Sequence, residues 1–168
     1  MIAYILILVG LLARLIPHVP NFVPVAAIAL FAGACLNKKY ALWVPLLIMV
    51  LSDFIIGMHD VVLFTWGAFA VIALLGMFLK GRINLLNVFG GTIVAAILFY
   101  VVTNFGVWIA WYPKTWVGFI DCYAKAIPFF RVTLVGNAVF SVVLFGAYEL
   151  AKKFVGETKY KKVLLASS

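Results

Sequence analysis

Residues 85–111 read LLNVFGGTIVAAILFYVVTNFGVWIAW, 27 consecutive positions without a single charge. A helix needs roughly 20 predominantly apolar residues to cross the hydrocarbon core of a bilayer, so this stretch alone suffices for one crossing. The rest of the chain has the same character. Hydrophobic residues fill 67% of the 168 positions and charged residues 11%, against about 45–50% and about 25% in soluble domains. A water-soluble globule is excluded, because nothing but lipid would cover so much apolar surface.

Working outward from 85–111, five further apolar runs emerge, at 2–16, 22–36, 40–57, 61–79 and 131–151. The first two are short and are separated by Pro17-His18-Val19-Pro20-Asn21. Two prolines so close break the helical ladder, which predicts a tight turn between the two runs, with a single long kinked helix as the alternative. The expected fold class is therefore an all-α membrane protein, a bundle of six transmembrane helices. It divides into a membrane domain over 1–151 and a basic cytoplasmic tail over 152–168. No basic segment precedes the first apolar run and no small-residue cleavage site follows it, so no cleaved signal peptide is expected.

The net charge is +8, from 13 Lys and Arg against 5 Asp and Glu. In a soluble protein this excess would suggest nucleic acid. In a multi-pass membrane chain it reads as the positive-inside bias instead, and no nucleic-acid partner is expected. Lys38, Lys39, Lys80, Arg82, Lys152, Lys153, Lys159, Lys161 and Lys162 fall on one side of a six-span topology. Arg14, Lys114, Lys125 and Arg131 fall on the other. Both termini are thus expected in the cytoplasm of a bacterial inner membrane, with Arg14 as an anomaly at the outer end of the first span.

Sorted by that topology, the polar residues gather on the outer side. They are His18 and Asn21 in the first outer turn, Asp53 at the end of the third span, His59 and Asp60 after it, Thr103 and Asn104 in the fifth, and Arg131, Thr133 and Asn137 in the sixth. Polar groups in hydrocarbon face a bundle interior or a wet cavity, so this one-sidedness predicts an outward-facing pocket. Tyr100, Asn104, Trp108 and Trp111 share one helical face, as do Thr133, Asn137 and Ser141. Interfacial anchoring explains the tryptophans equally well, and interhelical hydrogen bonds explain the asparagines. Within 112–130, Trp116, Phe119, Ile120, Tyr123 and Ile127 oppose Lys114, Asp121 and Lys125. That pattern predicts a short amphipathic helix in the interface, ended by Pro128, either floating at the headgroups or forming a lid. Ala26, Ala29 and Gly33, and Gly91 with Ala95, mark close helix packing.

No P-loop, HExxH, GxSxG or paired-cysteine motif is present, and no cofactor is expected. His18, His59 and Cys122 are weak metal candidates whose spacing matches no ligand pattern. Cys35 falls near the inner face and Cys122 near the outer, which rules out a disulfide between them.

The segments Arg14-Leu-Ile-Pro-His-Val-Pro-Asn-Phe-Val-Pro-Val-Ala-Ala-Ile-Ala-Leu-Phe-Ala-Gly33, Leu51-Ser-Asp-Phe-Ile-Ile-Gly57, Thr103-Asn-Phe-Gly106 and Cys122-Tyr-Ala-Lys-Ala-Ile-Pro-Phe-Phe-Arg131 resemble an uncharacterised bacterial family of membrane transport proteins. That family is in turn similar to the S components of energy-coupling-factor (ECF) transporters, six-helix membrane proteins that capture vitamins or metal ions. The resemblance implies an extracytoplasmic binding site, and as partners a transmembrane coupling subunit and two ATPases. It also implies a departure: many S components dock through an Ala-xxx-Ala face on the first helix, whereas Ala3, Gly10 and Ala13 are the small residues here. Among solitary relatives, cobalamin-transport proteins use a cysteine as cobalt ligand, a role that would fall on Cys122.

The sequence reading is a substrate-binding membrane subunit or solitary transporter for a vitamin-like small molecule. Arg14, Lys114, Lys125 and Arg131 would attract an anionic group, and Trp108, Trp111, Trp116 and Tyr123 would stack on a flat ring. His18 and Asn21 would border the site, and Asp53, Asn104 and Asn137 would orient the ligand by hydrogen bonds. Three rivals remain: a membrane enzyme with an outward Asp/His/Cys site, a metal (cobalt or cobalamin) uptake protein, and a non-catalytic assembly partner.

Overall fold

The computed structural model describes residues 2–17 and 20–155. Six helices follow one another: α1 (Ile2–Leu15), α2 (Val25–Cys35), α3 (Lys38–Ile56), α4 (Val62–Phe78), α5 (Leu85–Trp111) and α6 (Trp116–Val155). Among the described residues there is no strand. His18, Lys159, Lys161 and Lys162 lie outside the described residues, as does most of the tail expected over 152–168.

Three helices are long and apolar enough to cross a membrane: α3, α5, and α6 over Trp116–Lys153. At about 1.5 Å per residue, a helix as long as α5 spans about 40 Å and one as long as α2 only about 16 Å. The runs at 2–16, 22–36 and 61–79 thus become helices of 14, 11 and 17 residues. For α2 the cause is local. Pro24 occupies its N-cap position, and Pro17 and Pro20 precede it, so the chain cannot begin a helix at residue 22.

Burial decides the arrangement. Every residue of α2 is buried, as expected for a helix that is apolar all round, and it packs against α3, α4, α5 and α6. Gly33 and Gly76 allow the closest crossing. A Cβ on Gly33 would run into the Ala73 carbonyl, and one on Gly76 into the Leu30 carbonyl. The small residues Ala26, Ala29 and Gly33 are therefore spent on internal packing. Phe31 holds α6 against α2, edge-on to Phe145 at 5.2 Å and to Tyr148 at 5.5 Å between centroids. Outward-facing side chains such as Phe54, Leu63, Phe78, Leu85 and Leu86 are exposed.

The expected break at Pro128 does not occur. Residues 116–155 form one helix of 40 residues with Pro128 inside it. Proline removes one N–H and leaves the Ala124 carbonyl without its intrahelical donor. The helix continues because aromatic packing holds both sides of the proline to α5: Tyr100 touches Tyr123 at 5.5 Å and Phe130 at 5.0 Å. The amphipathic stretch is thus the first part of α6, laid antiparallel on the end of α5.

The α2–α3 and α4–α5 turns meet at one end, where Lys80 Nζ donates to the Leu36 carbonyl at 3.3 Å. Lys38, Lys39, Lys80, Arg82, Lys152 and Lys153 gather there, since α3 and α5 start and α4 and α6 finish at that end. Asn21, Asp53, His59, Asp60, Thr103, Asn104, Arg131, Thr133 and Asn137 lie toward the opposite end.

Candidate functional site

A cavity of about 500 Å³ opens at the end away from Lys38, Lys39 and Lys80. Its walls come from Arg14 on α1, Asn21 before α2, Met49 and Ile56 on α3, His59 in the α3–α4 connection, Thr65 and Phe69 on α4, and from α5 between Phe99 and Val107 and α6 between Ala126 and Thr133. Arg14, Asn21 and Asn104 are the three predicted binding residues in its lining.

Arg14 explains its own topological anomaly. Its guanidinium meets Asp53 Oδ1 at 2.8 Å, with side-chain exposures of 16% and 1%. The second carboxylate oxygen, Asp53 Oδ2, accepts from Trp66 Nε1 at 2.7 Å, and a further Arg14 N–H points at Met49 Sδ. A carboxylate on an apolar helix is tolerable only when paired and hydrogen-bonded. Arg14 supplies the pairing, and both oxygens of Asp53 are used within the protein. Arg14 is the only Lys, Arg, Asp or Glu among the described residues lining the cavity, and Asp53 cancels its charge.

The remaining positive residues of that end are engaged elsewhere. Lys114 Nζ caps the C-terminus of α5, donating to the carbonyls of Trp108 at 3.1 Å, Tyr112 at 3.0 Å and Ile109, where the helix dipole favours a cation. Lys125 pairs with Asp121 at 2.7 Å on the exposed face of α6. Arg131 is exposed and absent from the cavity lining. The four cations grouped in the sequence reading are therefore not one site.

The aromatic stripe divides as well. Tyr100 lines the cavity and donates its hydroxyl to the Tyr123 carbonyl at 2.6 Å, while Tyr123 returns its own to the Val101 carbonyl at 2.7 Å. Trp108 donates to the Pro113 carbonyl at 3.0 Å and Trp111 to Asp60 Oδ2 at 3.0 Å. Trp108 and Trp116 border a separate outer groove with Phe105 and Phe119. The rings that face the cavity are Phe69, Phe99, Tyr100, Phe129 and Phe130.

The polar wall is mostly threonine. Thr65, Thr103 and Thr133 donate to the carbonyls of Val61, Phe99 and Phe129 one turn earlier, at 3.1, 2.7 and 3.0 Å. With their protons committed, these hydroxyls offer the cavity acceptor lone pairs. Asn104 Nδ2 likewise donates to the Tyr100 carbonyl at 2.7 Å. Below the main cavity, Thr133, Asn137, Asn21 and Ala26 enclose a recess of about 20 Å³. Asn137 is 2% exposed, and its Nδ2 has no hydrogen-bond partner. Ser141 Oγ, one turn on, is also unpartnered.

Thr65 escaped the sequence reading, its sole signal being a hydroxyl in an otherwise apolar run. Trp66 escaped too, since only the fold sets it against Asp53. Of the proposed nucleophile and ligand residues, His59 lines the cavity, whereas Cys122 is buried with its Sγ 3.5 Å from the Asn104 carbonyl. Among the described residues, no three His, Cys, Asp or Glu side chains form a group able to hold a metal ion.

Residues 1–161 match a family of unknown function (DUF6580), and the chain belongs to that family. No curated protein and no solved structure matches the chain.

Proposed function

We propose that this member of the family is a membrane-embedded capture protein for a small organic molecule, similar in role to the S components of ECF transporters. The observation that carries the reading is the cavity: about 500 Å³, lined by rings, threonines, an asparagine and a charge-balanced arginine. Ligand sites are typically concave, about 300–1,000 Å³, mostly apolar, and hold a few convergent polar groups.

In this reading the helices form a six-crossing bundle in a bacterial inner membrane, with both termini cytoplasmic. The short α1 and α2 sit beside the longer helices and bring Arg14 and Asn21 to the cavity. The lysine-bearing turns lie inside under the positive-inside rule, so the cavity opens outward. Gly10 faces inward against Ile48, and Tyr4, Ile5, Leu8, Val9 and Leu12 form the outward face of α1. That face is large-sided, which favours a solitary transporter over one that docks a coupling subunit and its ATPases through α1.

Native mass spectrometry of the gently purified protein tests the reading. A small molecule should travel with the wild-type chain and be lost from Thr103→Trp, which fills the cavity. A molecule retained equally by Thr103→Trp would overturn it.

A further inference from the structure

An amide nitrogen with two N–H donors and no partner, in a residue 2% exposed, is an anomaly in a packed helix bundle. Leaving such a group unsatisfied costs about 1–3 kcal/mol, and most buried polar groups find partners. Asn137 is held in this state at one particular place. It lines the recess of about 20 Å³, which shares Asn21, Val23, Phe69, Phe99 and Thr133 with the main cavity. The recess is therefore a pocket in the floor of the cavity, with room for one atom group about the size of a water.

The chemistry of the two spaces is complementary. The main cavity offers acceptors from Thr65, Thr103 and Thr133, whose protons are already committed. The recess offers a donor with nothing to donate to. Arg14 is the one Lys, Arg, Asp or Glu among the described residues lining the cavity, and Asp53 cancels its charge, so the permanent charges there leave no net positive field to repay the desolvation of an anion.

We propose that the recess is the anchoring subsite for the bound molecule: Asn137 Nδ2 donates to a small neutral acceptor, an amide or ketone carbonyl, on an uncharged ring-bearing ligand. The ring lies among Phe69, Phe99 and Tyr100. The proposal rests on the capture reading above and adds to it the charge class of the ligand and the residue that selects it.

The test uses full-length protein in nanodiscs with benzamide and benzoate as probes, matched in shape and differing in charge. Binding is read by ligand-observed NMR against empty nanodiscs. Benzamide should bind wild type and benzoate should bind at least tenfold more weakly. Asn137→Leu, close in volume, should weaken benzamide about tenfold while melting no lower than wild type, because it removes the unsatisfied amide. Thr103→Trp should abolish both signals. Benzamide binding that survives Asn137→Leu but not Thr103→Trp overturns the subsite and leaves the cavity reading standing. Binding that survives Thr103→Trp overturns the cavity reading itself. Equal binding of benzoate, or no binding of benzamide to wild type, overturns the neutral-carbonyl assignment.

Discussion

Removing Arg14 should be among the most damaging single changes in this protein. Asp53 is 1% exposed, and its two oxygens are held by Arg14 at 2.8 Å and Trp66 at 2.7 Å. Arg14→Met leaves the carboxylate with the indole N–H alone in an apolar bundle, and breaking a buried pair in this way costs about 3–5 kcal/mol. Asp53→Asn should cost less, about 1–3 kcal/mol. The amide oxygen can keep the Trp66 bond, and the orphaned guanidinium, 16% exposed, borders a cavity that water can enter. Asp53→Leu is the second single variant of the cycle, and the double variant Arg14→Met/Asp53→Leu should recover most of the Arg14→Met loss, since replacing both partners by apolar groups is often neutral. The cycle can be measured by reversible unfolding in mixed micelles, with circular dichroism confirming helix content. A coupling energy near 2–4 kcal/mol is expected. Additive single losses, with coupling below about 0.5 kcal/mol, would refute the view that Arg14 is present to neutralise Asp53.

Other consequences follow from the packing and the topology. Gly33→Ala should lower stability by about 1–3 kcal/mol or more, read as a lower melting temperature, because its methyl meets the Ala73 carbonyl of α4. Trp111→Phe removes an exposed bond to Asp60 and should shift the same melt by less than about 1 kcal/mol. Arg131→Ala should leave the amount of co-purified small molecule unchanged, whereas Asn104→Ala should reduce it, since Asn104 lines the cavity and Arg131 does not. A cysteine placed at Asp60 should react in intact cells with a membrane-impermeant maleimide. One placed at Arg82 should react only after permeabilisation, and the opposite pattern would invert the proposed orientation.

Much of the fold was legible because long apolar runs dictate it. A run such as 85–111 can satisfy its backbone in hydrocarbon only as a helix, and α5 occupies those residues. Proline was less informative. Pro24 does delay α2, yet Pro128 passes through α6, because the fate of one missing hydrogen bond depends on the neighbours packed beside it. The one-sided gathering of polar residues pointed toward the cavity end, and Arg14, Asn21 and Asn104 line the cavity. Sequence position could not show that Lys114 caps the helix before it or that Trp111 reaches a distant carboxylate.

The amino-acid sequence by itself determined the apolar character, most of the helices and the end at which Lys and Arg are fewer, since those depend on composition and on spacing along one chain. Tertiary structure decided which polar groups meet. Arg14 and Asp53 are 39 residues apart and cancel in space. Asn137 lies beside Thr133 and Asn21 with its amide unspent. Pairing and its absence are relations between helices, and helical periodicity describes only one helix at a time.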